Sequence, residues 1–361
     1  AGRPVIKVLV VDDSALVRKL LGQVFAAEPD FEVEFARDGL EALERLASYQ
    51  PAVITLDEQM PRLDGLATLD RIMLERPCPV VMVSSLTAEG AEATLEALRL
   101  GAVDFVAKPS GAVSLRMEAF APQVVAKVRG AAGARLRLTH RLKDRVRHRI
   151  GSAPALRPSA RGEAYPMPAA IGEGLVLVGT STGGPPALEA LLAPLPADFP
   201  WPILVAQHMP ASFTGPLAHR LDRLCAMNVV ECGQATGLAS GTVYIGRGDA
   251  DLVVFRQRGA AMAKPVPSEP GYLWHPSTDR LVRTAMEHFP ASQLLGVLMT
   301  GMGDDGAQAM ASLHAQGGRT IAEAEETAVV WGMPGELVKA GGADFVLPVQ
   351  EIARRLQELT P

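Results

Sequence analysis

Three residue types that together cleave esters and amides, a serine, a histidine and an aspartate, each follow an apolar run in the second half of this 361-residue chain. Ser181 lies in Gly179-Thr180-Ser181-Thr182-Gly183-Gly184, directly after Leu175-Val176-Leu177-Val178. The spacing satisfies G-x-S-x-G, in which flanking glycines allow a sharp turn, push the hydroxyl outward and leave amide N–H groups near a developing oxyanion. The pattern alone is weak, and its place between a strand and a helix pattern gives it weight. Such a serine needs a base, and the base needs a carboxylate to orient it. Of the seven histidines, His208 in Val205-Ala206-Gln207-His208-Met209-Pro210 ends a buried strand pattern. His219 falls on a helix pattern and His140 and His148 in a basic stretch, where surface or packing roles suffice. The carboxylate is expected in Leu298-Met299-Thr300-Gly301-Met302-Gly303-Asp304-Asp305-Gly306. Spacing does not choose between Asp304 and Asp305, and an Asp-Gly turn before a helix would look the same.

A second chemistry is written into the first half. Asp12 and Asp13 follow the first strand pattern, Asp57 and Ser84 end two more, and Lys108 follows a fourth. In an open parallel sheet these ends converge on one crevice. Clustered carboxylates repel one another unless a cation intervenes, and hard oxygen ligands suit Mg²⁺. Taken singly, a strand-end aspartate is more simply a turn residue or a helix cap. Five such residues in register are not so easily dismissed.

The elements that must position these groups alternate. Val5–Val11, Val53–Leu56, Val80–Val83 and Asp104–Ala107 read as buried parallel strands with amphipathic helices between them. A second α/β block begins at Leu175, with strands expected at Ile203–Ala206, Val243–Ile245, Leu252–Phe255 and Leu294–Met299, and a loop or hairpin around Pro265 to Pro276. Between the blocks, residues 127–161 carry Arg135, Arg137, Arg141, Lys143, Arg145, Arg147 and Arg149 against one acid, Asp144, before a Pro, Ser and Gly-rich stretch to Gly174. This reads as a linker. Within it Leu138, Leu142, Val146 and Ile150 form a helical stripe that would pack on a domain surface.

Composition sets the outer limits. The chain is too long for one ordinary core, so two domains are expected. At 48% hydrophobic and 21% charged residues it belongs with globular proteins. A net charge of −5 argues against nonspecific nucleic-acid binding as the main task. Cys78, Cys225 and Cys232 lack metal-ligand spacing and suit buried, reduced thiols. Without a recognisable signal peptide or a bilayer-length apolar run, a cytoplasmic location is expected.

The first block resembles the receiver domain of two-component response regulators over residues 5–126, with Leu56-Asp57-Glu58-Gln59-Met60-Pro61 a close match. The resemblance implies a flavodoxin-like fold in which Asp57 accepts a phosphoryl group. Asp12 and Asp13 would hold Mg²⁺ with Asp57, Lys108 would neutralise phosphoryl oxygens, and Ser84 and Phe105 would form the switch pair. Gln59 departs from the acid or asparagine often found two places after the acceptor, which bears on the lifetime of the phosphorylated state. The order Ser, His, Asp differs from that of α/β-hydrolases. Together with Gln207-His208-Met209-Pro210, Thr300-Gly301-Met302-Gly303-Asp304-Asp305-Gly306 and Trp331-Gly332-Met333-Pro334, the serine turn closely resembles the chemotaxis protein-glutamate methylesterases, the CheB family.

That likeness implies a receiver over 4–126, a basic linker over 127–170 and a doubly wound, mostly parallel α/β methylesterase domain over 171–361. It assigns the triad as Ser181, His208 and Asp305, with Thr182 and Met302 in supporting positions and no cofactor for the esterase step. The implied substrates are glutamate γ-methyl esters of methyl-accepting chemotaxis receptors, with deamidation of receptor glutamines by the same chemistry. The implied phosphodonor is the chemotaxis histidine kinase, and the receiver is expected to restrict the cleft until phosphorylated. No nucleic-acid partner or membrane-embedded segment is expected. Two rival readings remain: a phosphorylation-dependent adaptor with a silent α/β domain, and a nucleotide-binding turn at 179–184. The latter lacks the P-loop lysine and the G-x-G-x-x-G spacing.

Overall fold

The computed structural model describes residues 5–108, 113–136 and 174–361, which fall into two compact units. The expected helical stripe of residues 138–150 lies outside the described residues. Among the described residues no helix is long and apolar enough to cross a membrane, and all three cysteines are buried and unpaired.

In the first unit five strands, β1 (Ile6–Val11), β2 (Phe31–Ala36), β3 (Val53–Asp57), β4 (Val80–Ser84) and β5 (Asp104–Ala107), alternate with helices α1 (Ala15–Ala26), α2 (Gly39–Tyr49), α3 (Gly65–Glu75), α4 (Ala88–Leu100) and α5 (Val113–Ala132). They form one parallel sheet in the order β2-β1-β3-β4-β5. The three central strands are almost wholly buried because helices cover both faces, which is why they read as continuous apolar runs. Edge strand β2, Phe-Glu-Val-Glu-Phe-Ala, is half-exposed, and its polar alternation kept it out of the apolar pattern. Ser14, Asp38, Asp64 and Thr87 cap α1 to α4 through their side-chain oxygens, leaving only some of the polar residues at strand exits for chemistry. Helix α5 continues past residue 126, where Lys127 pairs with Asp104 at 2.8 Å and Arg129 with Asp30 at 2.8 Å.

The second unit is built on a seven-stranded parallel sheet. In chain order its elements are β6 (Leu175–Thr180), α6 (Gly184–Leu192), β7 (Ile203–Gln207), α7 (Ala211–Leu224), β8 (Asn228–Cys232), β9 (Thr236–Gly237), β10 (Thr242–Gly246), β11 (Ala250–Gln257) and β12 (Ala260–Pro267). There follow α8 (Thr278–His288), β13 (Leu294–Leu298), α9 (Ala307–Ala315), β14 (Arg319–Glu323), α10 (Met333–Lys339), β15 (Phe345–Leu347) and α11 (Val349–Leu359). The large sheet runs β15-β14-β13-β6-β7-β10-β8, and β11, β12 and β9 make a small antiparallel sheet. The region around Pro265 resolves into the end of the β11–β12 hairpin followed by a loop to α8. From β6 the chain winds outward one way through β7, then returns to build the other half from β13. The switch point, where open α/β sheets leave a crevice, is therefore between β6 and β13.

Candidate active site and acidic receiver pocket

Ser181, His208 and Asp305 leave the C-terminal ends of three adjacent strands, β6, β7 and β13. The serine turn is fixed through its backbone. Ser181 N–H donates to Thr300 O at 2.9 Å, and Ser181 O accepts from Gly184 N at 2.8 Å and from Gln207 Nε2 at 3.0 Å. Gln207 Nε2 also donates to His208 O at 3.1 Å, and His208 N donates to Thr180 O at 3.1 Å, so the chain segments carrying serine and histidine are stitched together. The turn closes only because Gly183 takes a left-handed φ of 77° and residue 184 lacks a side chain; a Cβ there would sit 1.9 Å from Gln207 Oε1.

The structure separates the two adjacent carboxylates. Asp304 is exposed, whereas Asp305 is 9% exposed. Asp305 Oδ2 lies 2.7 Å from His208 Nε2 and accepts from Thr278 N at 2.7 Å. Its Oδ1 accepts from Ser277 Oγ and Asp279 N, both at 3.0 Å. The two amides open α8, so the carboxylate rests on a helix N-terminus, where its charge is favoured. Burial pushes its pKa up, but the His208 hydrogen bond and charge, with the Asp279 and Thr278 amides, outweigh this and hold it below the usual carboxylate range. Because Nε2 faces a carboxylate it carries the proton of the neutral imidazole, an assignment made from the hydrogen-bond network. The lone pair is then on Nδ1, which is buried and has no hydrogen-bond partner among the described residues.

Surrounding residues hold this arrangement. The Trp274 ring stacks on the His208 ring at 5.7 Å and 14°. Asp251, fully buried, lies 2.8 Å from His275 Nδ1 and accepts from Ser277 N and Arg280 Nη1 at 2.8 Å, fixing the segment that presents Ser277 to Asp279. Thr182 is buried, and its carbonyl accepts from Thr300 Oγ1 at 2.9 Å; Thr300 N in turn donates to Glu323 Oε2 at 2.8 Å. Met302 is half-buried between Gly301 and the left-handed Gly303. Residue type and spacing assign no role to Trp274, Ser277, Thr278 or Asp279, nor to the side chain of Gln207 within its motif. The cap pattern Ser277-Thr278-Asp279 was a usable signal for an anion site at a helix start, whereas nothing in the sequence placed Trp274 over the imidazole.

In the first unit, Lys108 Nζ lies 2.8 Å from Asp57 Oδ1 and 3.1 Å from Asp12 Oδ2. Asp12, Asp13 and Asp57 each offer an oxygen within 4.8 Å of the others. Burial pushes the Asp57 pKa up, and the Asp12 charge adds to this; the Lys108 hydrogen bond and charge offset it only in part. Asp12 Oδ2 is buried, and its approach to Lys108 lacks hydrogen-bond geometry. Three clustered carboxylates, two of them paired with one ammonium and one oxygen left without a hydrogen bond, fit a hard divalent cation such as Mg²⁺. Ser84 Oγ donates to Glu58 Oε2 at 2.8 Å and accepts from Thr94 Oγ1 at 2.6 Å. Phe105 is buried on β5, and Gln59 is exposed beside Asp57.

An acidic pocket at the strand ends of one doubly wound unit, joined in one chain to a second whose switch point gathers serine, histidine and aspartate, defines a response regulator with an enzymatic output. The family models agree: the response regulator receiver domain matches residues 8–119, and CheB methylesterase matches residues 176–356. The chain belongs to the CheB methylesterase family. It is 58% identical to "Protein-glutamate methylesterase/protein-glutamine glutaminase 2" of Rhodopseudomonas palustris, over 98% of this chain and 98% of that one. Its identity to "Protein-glutamate methylesterase/protein-glutamine glutaminase 3" of Rhodospirillum rubrum is 51%, over 97% of this chain and 95% of the relative. The crystal structure of the Thermotoga maritima CheB methylesterase catalytic domain matches with a TM-score of 0.50 and 38% identity, covering 52% of this chain and 98% of that domain.

Proposed function

We propose that Ser181, His208 and Asp305 carry out the hydrolysis expected of this family, removing methyl groups from glutamate γ-methyl esters of methyl-accepting chemotaxis receptors. The chain is a protein-glutamate methylesterase/protein-glutamine glutaminase under the control of its receiver domain and serves chemotactic adaptation. The observation that carries the residue assignment is the imidazole held through Nε2 by Asp305, with a buried, unpartnered Nδ1 at the strand exit next to Ser181.

Nδ1 takes the serine proton as Oγ attacks the ester carbonyl. The imidazolium that forms is stabilised by Asp305, which the helix N-terminus keeps ionised. Methoxide is a poor leaving group, so the proton on Nδ1 passes to it and methanol departs, leaving an acyl-serine. Water, deprotonated by the same nitrogen, then attacks the acyl carbonyl and regenerates the hydroxyl. General acid–base help of this kind contributes about 10²- to 10⁴-fold. A glutamine amide presents the same carbonyl geometry and loses ammonia in place of methanol.

In the receiver, Asp57 is the phosphoryl acceptor and the chemotaxis histidine kinase the donor. Asp12, Asp13 and Asp57 would hold Mg²⁺, whose chemistry is to neutralise phosphoryl oxygens; Lys108 orients Asp57 and adds a fixed positive charge. Ser84 and Phe105 are the residues that respond to the modification. Tenfold to hundredfold control needs about 1.4 to 2.8 kcal/mol of coupling. The protein acts in the cytoplasm, where receptor helices and kinase are accessible. The test is methanol release from methylated receptor membranes by wild type, Ser181→Ala and Asp57→Asn, with and without a small phosphodonor. Release should vanish in Ser181→Ala, and stimulation by the donor should vanish in Asp57→Asn. Full turnover by Ser181→Ala would overturn the nucleophile assignment.

A further inference from the structure

Of the large hydrophobic side chains exposed among the described residues, Leu273 stands apart: it is 86% exposed, while the others range from 36% to 62%. It lies in the loop between β12 and α8, one residue before Trp274, whose ring covers the catalytic imidazole. The same loop borders the turn that carries Asp305, since a Cβ on Gly303 would come within 3.7 Å of Trp274 Nε1. Leu273 is therefore an apolar group at the rim of the reacting centre that contributes almost nothing to the packing of its own domain.

The loop is anchored at both ends by one ion pair, Arg280 with the fully buried Asp251. Arg280 Nη1 donates to Pro267 O at 2.9 Å and to Asp251 Oδ2 at 2.8 Å, and Arg280 Nη2 pairs with Glu269. The Arg280 guanidinium also lies 5.9 Å from the Tyr272 ring centroid, and Tyr272 N donates to Glu269 O at 3.0 Å. On the far side Asp251 holds His275 and the Ser277 amide. Leucine 273 is thus presented on a braced segment, which lowers the entropy lost when it is covered by a partner.

We propose that Leu273 is a substrate-gripping residue: it packs against an apolar side chain on the protein substrate beside the modified glutamyl group and sets affinity for the protein without taking part in the chemistry. The inference rests on the function proposed above. A glutamyl ester on a folded protein cannot enter a cleft without its surroundings, and the rim of this site offers an apolar contact to receive them. The partner is the protein substrate, because the contact is continuous with the reacting centre.

The test measures initial rates of methanol release against methylated receptor concentration, with saturating phosphodonor, for the full-length wild type, Leu273→Ala, Leu273→Asp and Leu273→Met. Leu273→Ala should raise KM about tenfold, equivalent to about 1.4 kcal/mol. Leu273→Asp should raise it further, Leu273→Met should restore it, and kcat should stay within about twofold throughout, since uniform binding affects KM alone. An unchanged KM in Leu273→Asp would overturn the proposal. A fall in kcat at constant KM would also overturn it, because the residue would then act through Trp274 on the imidazole. Absence of methanol release by the wild type would refute the proposed function instead, so the two failures are distinguishable.

Discussion

Replacing Asp305 by asparagine removes one charge and exchanges one acceptor for a donor, at a position where four donors converge: His208 Nε2, Thr278 N, Ser277 Oγ and Asp279 N. If the amide oxygen takes the Oδ2 position, the imidazole keeps its tautomer, but the NH2 group faces the Asp279 amide. A buried N–H left unpaired in this way costs about 1–3 kcal/mol. If the amide is turned over, its NH2 group faces Nε2, the imidazole proton moves to Nδ1, and no lone pair remains for the serine. In both orientations the imidazolium loses its counter-charge. The kcat for methanol release from methylated receptors should therefore fall about 10³- to 10⁴-fold, or about 4 to 5.5 kcal/mol in activation free energy. Circular dichroism and thermal melting would establish that the variant is folded. Asp304→Asn is the matched control: the side chain is exposed, and its rate should stay within about twofold of wild type, as for surface substitutions generally. A folded Asp305→Asn enzyme retaining a tenth of wild-type kcat, or a comparable loss in Asp304→Asn, would refute the assignment of the orienting carboxylate.

Gly184→Ala should destabilise the catalytic unit by about 1–3 kcal/mol, the usual cost of overpacking, because its Cβ would fall 1.9 Å from Gln207 Oε1 and 2.7 Å from Thr180 Oγ1; urea unfolding measures this, and an unchanged midpoint would contradict the close approach. Mg²⁺ at a hundred times its Kd should stabilise the receiver by about 2.7 kcal/mol, and calorimetry should show that transition moving up in wild type and staying fixed in Asp12→Asn. The folded pKa of Asp305 lies below its ordinary 3.8, so its contribution to stability is complete above that value and is lost as pH falls through the lower one. The stability gap between wild type and Asp305→Asn should accordingly not narrow between about pH 7 and 5 and should close only below about pH 3.8; a gap already closing at pH 6 would contradict the pairing.

Sequence and structure agree where burial is complete and the buried residues are apolar; β14 is buried over Thr320–Glu323, but Thr320 and Glu323 break its apolar run and leave it without a sequence signature. Central strands such as Val53–Asp57 and Leu175–Thr180 are covered on both faces, so their side chains alone announce them. Strand β2, with Glu32 and Phe35 exposed and Glu34 half-buried, carries no such signature, and short β15 carries less still. Strand exits made Ser181 and His208 legible, because parallel sheets place site residues there. The choice between Asp304 and Asp305 was not legible from spacing. It depends on which carboxylate meets the start of α8, a helix that begins 27 residues earlier in the chain than Asp305. The clamp formed by Gln207 was hidden for a related reason: a side chain that bonds two backbone carbonyls has a tertiary role with no periodicity.

The bond from Ser84 to Glu58 carries a consequence for signalling. Under the proposed assignment, the hydroxyl that must respond to a phosphoryl group on Asp57 is engaged at rest by the carboxylate of the very next residue. Burial raises the Glu58 pKa, with the Asp57 charge adding to the effect. On that assignment, activation would exchange one carboxylate acceptor for a phosphoryl one, so the Ser84–Glu58 bond would latch the resting conformation and the threshold for response would depend on a residue that never receives phosphate.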